Sequence, residues 1–203
     1  MRYIKGLLNK QQATRALYSA LCRTAGEPPE SQWREFASGL RLRTLDKGEY
    51  LVRAGEQART VSFVCSGLLR MFYLRRDGRE LNKSFVCPPG FVGAFEALLS
   101  GNESRLSIQT LEPCTLLEID YALATSFYER DVFWERFGRL LAERLFVKKA
   151  RREAAFLMDT ALQRYELFLV EHPEIAGRIP DYHIASYLGV TPEALSRLRR
   201  NRL

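Results

Sequence analysis

The chain has 203 residues, of which 46% are hydrophobic and 27% charged, with a net charge of +7 and a pI near 9.4. That composition describes a folded protein able to bury one large or two small cores. It excludes a membrane span, because no apolar run approaches the roughly 20 residues that crossing a bilayer takes, and the opening Met1–Lys10 is too broken for a secretory leader. The cytoplasm is the expected location.

The basic balance favours acidic partners, nucleic acid first among them, although many proteins carry such a charge for solubility alone. Cys22, Cys65, Cys87 and Cys114 are widely spaced, with no Cys-x-x-Cys and no nearby histidine pair. Zinc and iron–sulfur sites need clustered ligands, so the four are expected as buried free thiols. No nucleophile elbow, phosphate loop or metal motif is present, which argues against an enzyme.

Residues 1–28 read as an N-terminal helical extension with Leu8, Ala16, Leu17, Ala20 and Leu21 on its apolar face, ending at Gly26. It can pack on the main body of the chain, support a dimer or remain disordered. A second helix is expected from Pro29 or Glu30 to Gly39, anchored by Trp33, Phe36 and Ala37.

Beyond it the period changes to two. Short apolar or alternating runs recur at Leu40–Leu45, Tyr50–Arg53, Thr60–Cys65, Leu68–Leu74, Glu80–Val86, Ser104–Leu111 and Thr115–Ile119, with turn residues between them. Closely spaced strands predict an all-β sandwich or jelly roll. Ala94–Ser100 interrupts them with a short helix.

A long helix is expected from Asp131 to about Phe156, with Phe133, Phe137, Leu140, Leu141 and Leu145 as a stripe suited to packing or to a coiled seam. Lys148, Lys149, Arg151 and Arg152 read as a solvated helix face rather than phosphate ligands. Asp159 is expected to cap the next helix, whose apolar positions are Leu162, Tyr165 and Leu169, and residues 171–180 form a connecting loop.

The last segment, Pro180 to Leu203, reads as two short helices about a tight turn. Ile184 and Leu188 share one face, Gly189 can leave the helix at positive φ, Thr191 can cap the next helix and Pro192 fits its first position. Leu195 and Leu198 face inward while arginines crowd the rest. This is a helix-turn-helix pattern able to enter a DNA major groove, or else a helical hairpin with a solvated basic end.

Lys47-Gly48-Glu49-Tyr50, Gly55-Glu56, Ser66-Gly67, Asp77-Gly78 and Gly90-Phe-Val-Gly93, taken in order and ahead of that hairpin, resemble the cyclic-nucleotide-binding domain of the catabolite-activator/FNR (CRP/FNR) family of bacterial transcription regulators. The resemblance covers residues 29–203. It implies an α+β fold: a jelly-roll barrel at 29–130, a dimerisation helix at 131–157 and a helix-turn-helix at 158–203. The family's β-hairpin wing finds no room before Leu203, so wing-to-phosphate contacts are expected to be absent and DNA affinity to be strongly salt-dependent.

The resemblance also implies partners: double-stranded DNA, a second copy of the chain and a small-molecule effector, with no membrane. Glu193 and Arg197 match the family's base-reading glutamate and arginine, and Ser196 the small position beside that arginine. Pro192 stands where a third polar reader is common. Thr191, Arg199, Arg200 and Arg202 are assigned to phosphates.

The effector side departs from the pattern. Gly93, Ala94, Phe95 and Arg105 occupy the pocket region, but Ala94 replaces the ribose-gripping glutamate. Strand parity puts Ser104, Leu106, Ile108 and Thr110 inward and Arg105, Ser107 and Gln109 outward. Recognition of a cyclic nucleotide by the usual contacts is therefore not expected. Haem sensing lacks axial ligands, since the two histidines are His172 in the connecting loop and His183 in the helix-turn-helix, and iron–sulfur sensing lacks N-terminal cysteines beyond Cys22. The rival reading is a ligand-binding or protein-interaction module that does not bind DNA.

Overall fold

A computed structural model describes residues 8–200. Its α-carbon contacts divide the chain into two compact units, Met1–Met71 with Phe85–Ala142, and Phe72–Ser84 with Glu143–Leu203. The division passes through one β-hairpin and one long helix, so each unit is built from segments distant in sequence.

The first unit begins with helix α1 (Lys10–Ala25), started by a capping box in which Asn9 and Gln12 satisfy each other's free amides. Ala13, Leu17, Ala20 and Leu21 are its buried face, and they pack with Val61, Phe63, Leu117 and Ile119 of the sheet. Of the alternatives open for this extension, packing on the barrel is the one its described residues adopt. Leu17 and Leu21 are each 1% exposed, worth about 1.5–3 kcal/mol apiece. Helix α2 (Glu30–Ser38) adds Phe36, edge-on to Phe127 and against Trp134.

The barrel comprises β1 (Arg41–Leu45), β2 (Tyr50–Val52), β3 (Thr60–Ser66), β4 (Leu69–Leu74), β5 (Glu80–Val86), β6 (Gly90–Val92), β7 (Leu106–Thr110) and β8 (Cys114–Asp120). One sheet runs β1-β8-β3-β6 and the other β2-β7-β4-β5. Period-two alternation sorts their side chains. Val64, Leu116, Leu45, Leu69, Met71, Val92, Leu106 and Ile108 fill the space between the sheets. Val61, Phe63, Leu117 and Ile119 face the helices. Gly67 turns β3 into β4 at φ +92°, and a Cβ there would meet Pro113 O and Cys114 Sγ at 2.5 Å, so only glycine fits.

The seven expected strands are present; β6 was not expected, because three residues around a glycine carry no alternation. Helix α3 (Phe95–Ser100) comes directly after it, and α4 (Tyr121–Ser126), capped by Asp120, also had no sequence signal.

Helix α5 (Val132–Met158) gives the N-terminal part of the expected stripe a packing role. Phe133 is buried with Trp134, and Phe137 and Leu140 pack against the same cluster, so these residues cover their own barrel. The large apolar residues that α5 exposes are Val132, Phe146, Val147, Phe156, Leu157 and Met158.

In the second unit, α6 (Ala161–Glu171) is capped by Thr160 rather than Asp159, in a capping box with Gln163. The motif explains the shift, since Thr160 alone has a glutamine three residues on. Tyr165 and Phe168 of α6 are buried with Ile175, Ile179, Ile184, Leu188 and Leu195. Helices α7 (Asp181–Leu188) and α8 (Pro192–Arg200) close this core, packing on each other and on α6.

Candidate functional site

The α7–α8 turn is set by its sequence. Gly189 takes φ +72° and ends α7, and the Thr191 hydroxyl accepts from Ala194 N at 3.2 Å to start α8. Leu195 is fully buried, which fixes the rotation of α8. Glu193, Ser196, Arg197 and Arg200, at helical spacings of three and four, are then all exposed on one face. Thr191 and Pro192 are exposed at its N-terminal end.

Two expected phosphate ligands fare differently. Arg199 is half-buried: its Nε donates to the Tyr165 hydroxyl at 3.1 Å and its Nη1 to Asp181 at 2.7 Å. It ties α8 to α6 and α7 and is not on the exposed face. Arg202 lies outside the described residues. The Glu193 carboxyl is held below its ordinary range by its own backbone N–H and the Thr191 hydroxyl, with Arg197 adding to the effect. Glu193 thus caps the helix N-terminus it belongs to.

Behind α7 lies a polar cluster that sequence reasoning missed. Asn82 on β5 donates its amide N–H to Ser186 Oγ at 3.0 Å, and Ser186 donates in turn to Glu80 O at 2.8 Å. The Asn82 side-chain Nδ2 lies 3.1 Å from both the carbonyl oxygen and Nδ1 of the buried His183. From α5, Arg152 donates to Tyr187 O at 2.8 Å and Asn82 O at 3.3 Å. From α6, Arg164 donates to Leu188 O at 3.2 Å. Two guanidiniums therefore cap the carbonyl end of α7, where a cation is favoured. The expectation of a solvated basic face is corrected for Arg152, while Lys148, Lys149 and Arg151 are exposed.

In the other unit, parity places Ser104, Leu106, Ile108 and Thr110 inward as expected, each at most 5% exposed. Arg105 is exposed. Ser107, expected to be outward, is buried, because its Oγ accepts from Ala54 N at 3.0 Å. Arg105 borders an open groove of about 770 Å³ that also holds Glu96, Glu103 and Gln57. Two carboxylates against one guanidinium make a poor host for a cyclic phosphate. Gly93 and Ala94 are buried and Phe95 half-buried, and Ala94 belongs to the apolar filling between the sheets. The structure brings Gly93, Ala94 and Phe95 together at the start of α3 but leaves Arg105 outside. Among the described residues, no cluster of histidines, cysteines and carboxylates could hold a metal ion.

A sandwich of two four-stranded antiparallel sheets with a short helix between β6 and β7 is the frame these residues occupy, and residues 42–131 match the family model described as "Cyclic nucleotide-binding domain". No curated protein matches the chain. Among solved structures, FixK2 from Bradyrhizobium japonicum is 24% identical with a TM-score of 0.69, covering 80% of this chain and 83% of that one. The c-di-GMP responsive global regulator CLP of Xanthomonas campestris is 18% identical with a TM-score of 0.67, covering 85% and 91%. The Thermus thermophilus catabolite activator protein is 22% identical with a TM-score of 0.54, covering 89% and 85%.

These neighbours are CRP/FNR-type regulators, and at such identities the likeness is one of fold. The matched segment, residues 42–131, contains strands of both sheets and the helix after β6. Its inward face there is alanine, serine and aliphatic carbon.

Proposed function

We propose that the chain is a sequence-specific DNA-binding transcription regulator of the CRP/FNR type, in which α7 and α8 form a helix-turn-helix and α8 enters the major groove. The observation that carries this reading is the exposed α8 face of Glu193, Ser196, Arg197 and Arg200, held at a fixed rotation by buried Leu195. Arg197 is the base reader, suited to a bidentate contact with guanine O6 and N7. Thr191 and Arg200 bind phosphates beside it, as does Arg202. Glu193 reads cytosine N4 only when it releases its hydrogen bond to Thr191. Arg199 acts behind the interface, holding α8 against Tyr165 and Asp181.

A homodimer fits this function, since paired recognition helices match two-fold DNA. Phe146 and Leu157 of α5 are 72% and 77% exposed, eleven residues apart on one stripe with Ala150. A stripe of that kind is a seam for a second copy. The barrel is an effector domain whose inward face lacks the groups that grip a cyclic nucleotide.

The test is salt-titrated binding to genomic fragments, comparing the parent chain with Arg197→Ala. The reading expects a preferred sequence, a steep fall of affinity with salt and loss of preference in the variant. Equal binding by both proteins with no preferred sequence would leave a ligand-binding or interaction module instead. Analytical ultracentrifugation of Phe146→Glu, expected to sediment as a monomer, tests the seam.

A further inference from the structure

Within the second unit, α5, α6 and the end of α7 enclose a small cavity of about 30 Å³ whose lining includes Lys148, Arg151, Arg152, Arg164, Glu171 and Tyr187. Positions 148, 151 and 152 share one face of α5, and 164 and 171 share one face of α6. Four cationic residues thus line a space bordered by one acidic residue, Glu171, and the Lys148 ammonium also donates to Ser84 Oγ at 3.1 Å.

The hydrogen bonds described for two of these cations do not neutralise them. Arg152 bonds to the carbonyls of Tyr187 and Asn82, and Arg164 to those of Leu188 and Asp159. Carbonyls satisfy donors but carry no net charge. The two guanidiniums also share one aromatic ring, with their central carbons 4.7 and 5.0 Å from the centre of Phe156. They are held close to each other with the ring as common neighbour.

The surroundings register the excess. Burial weakens the hold of Arg152 on its proton, Tyr187 and Glu171 work against that loss, and the charge of Arg164 adds to it. Burial, Lys148 and Arg152 push His172 down to about 4, so it is neutral at physiological pH. Its Nε2 is buried and makes no hydrogen bond. Like charges drawn together out of water are costly unless a counter-charge joins them.

We propose that this cavity is an oxyanion site that takes a single phosphate group, with Arg151 and Lys148 as its outer ligands and Arg152 and Arg164 as its fixed inner wall. A volume of about 30 Å³ matches roughly two waters, so about two phosphate oxygens enter, the rest of the group stays at the mouth among the exposed outer ligands, and a nucleobase is excluded. The ligand is inorganic phosphate or the terminal phosphate of a small ester, and the site is separate from both the barrel groove and the α8 face.

The experiment is isothermal titration calorimetry of the full chain with sodium phosphate and, in parallel, with glycerol 3-phosphate, both against sodium chloride at matched ionic strength. The proposal expects saturable phosphate binding with one site per chain. Arg151→Gln removes an exposed outer ligand and should weaken binding about tenfold, the scale of one charge-assisted hydrogen bond. Glu171→Gln removes the opposing carboxylate and should tighten it. Thermal melts of both variants establish that they fold. Binding of both probes marks an ester-accepting site, and binding of inorganic phosphate alone marks free phosphate as the ligand. Binding of neither, an identical response to chloride, or an unchanged affinity in Arg151→Gln overturns the proposal.

Discussion

The Asn82 side chain donates to the backbone carbonyl of His183 at 3.1 Å and sits 3.1 Å from the same residue's Nδ1. One amide NH2 from a β-hairpin thus grips a buried histidine at the first turn of α7. An amide nitrogen only donates, so His183 Nδ1 is the acceptor in this contact. The Asn82 Oδ1 is buried without a hydrogen bond, so the contact is one-sided and depends wholly on the donor.

Replacing Asn82 by alanine is therefore expected to cost about 1–3 kcal/mol, the price of leaving buried acceptors unpaired. The loss should be local. Hydrogen exchange of the α7 amides should accelerate in Asn82→Ala while the β3 and β8 amides keep their protection. Uniform protection across both sets would show that Asn82 does not hold α7.

That contact also marks where sequence reasoning stops. Asn82 and His183 are 101 positions apart, and nothing local in either stretch points to the other. The α7–α8 turn was legible because glycine, threonine and proline each act on their own backbone. The barrel was legible because its strands alternate. Arg152 was misread for the opposite reason: in sequence it is one of a basic run, and only the packing of α6 and α7 separates it from Arg151. The stripe on α5 had the right period but left its partner open, since periodicity says that a face is buried and not against what. Arg105 is outward as parity requires, but Ser107 on the same parity is buried beside Ala54 N, a partner that the strand's own alternation does not reveal.

Gly189→Ala should destabilise the second unit by about 1–3 kcal/mol. The glycine sits at φ +72°, and a Cβ there would fall 2.8 Å from Cε1 of Phe156. The left-handed backbone alone disfavours a side chain, and the ring must shift as well. Because Phe156 is the ring beside Arg152 and Arg164, its displacement disturbs the cap on α7. Urea denaturation checks the magnitude, and a Phe156→Ala background should recover part of the loss by removing the clash.

Arg197 and Arg199 are two positions apart and should separate cleanly by phenotype. Arg197 is exposed and Arg199 is bonded to Tyr165 and Asp181. Arg197→Ala is expected to weaken binding to a preferred DNA site by about 1–3 kcal/mol and to leave the melting temperature unchanged. Arg199→Ala should cost ~1 kcal/mol of stability, modest because both partners are partly exposed. Melting curves and DNA titrations on the two variants test the assignment, which fails if the phenotypes are exchanged.

His172 should make the second unit acid-sensitive. Burial, then Lys148 and Arg152, bring its pKa from 6.5 down to about 4. The folded state therefore resists a proton that the unfolded chain accepts. Above about 6.5 both states are neutral and stability is complete; as pH falls toward about 4 the unfolded chain gains the proton first and stability is lost; below that both are charged and the penalty is constant. The full shift corresponds to ~3 kcal/mol, and partial solvent access reduces this to about 1–2 kcal/mol. Carboxylates titrate at the lower end of the same window, so the measurement must be a difference. Denaturation of the parent chain and of His172→Gln at a series of pH values isolates it. The parent should lose stability more steeply between pH 6.5 and 4, and parallel slopes would mean that His172 titrates as it does in water.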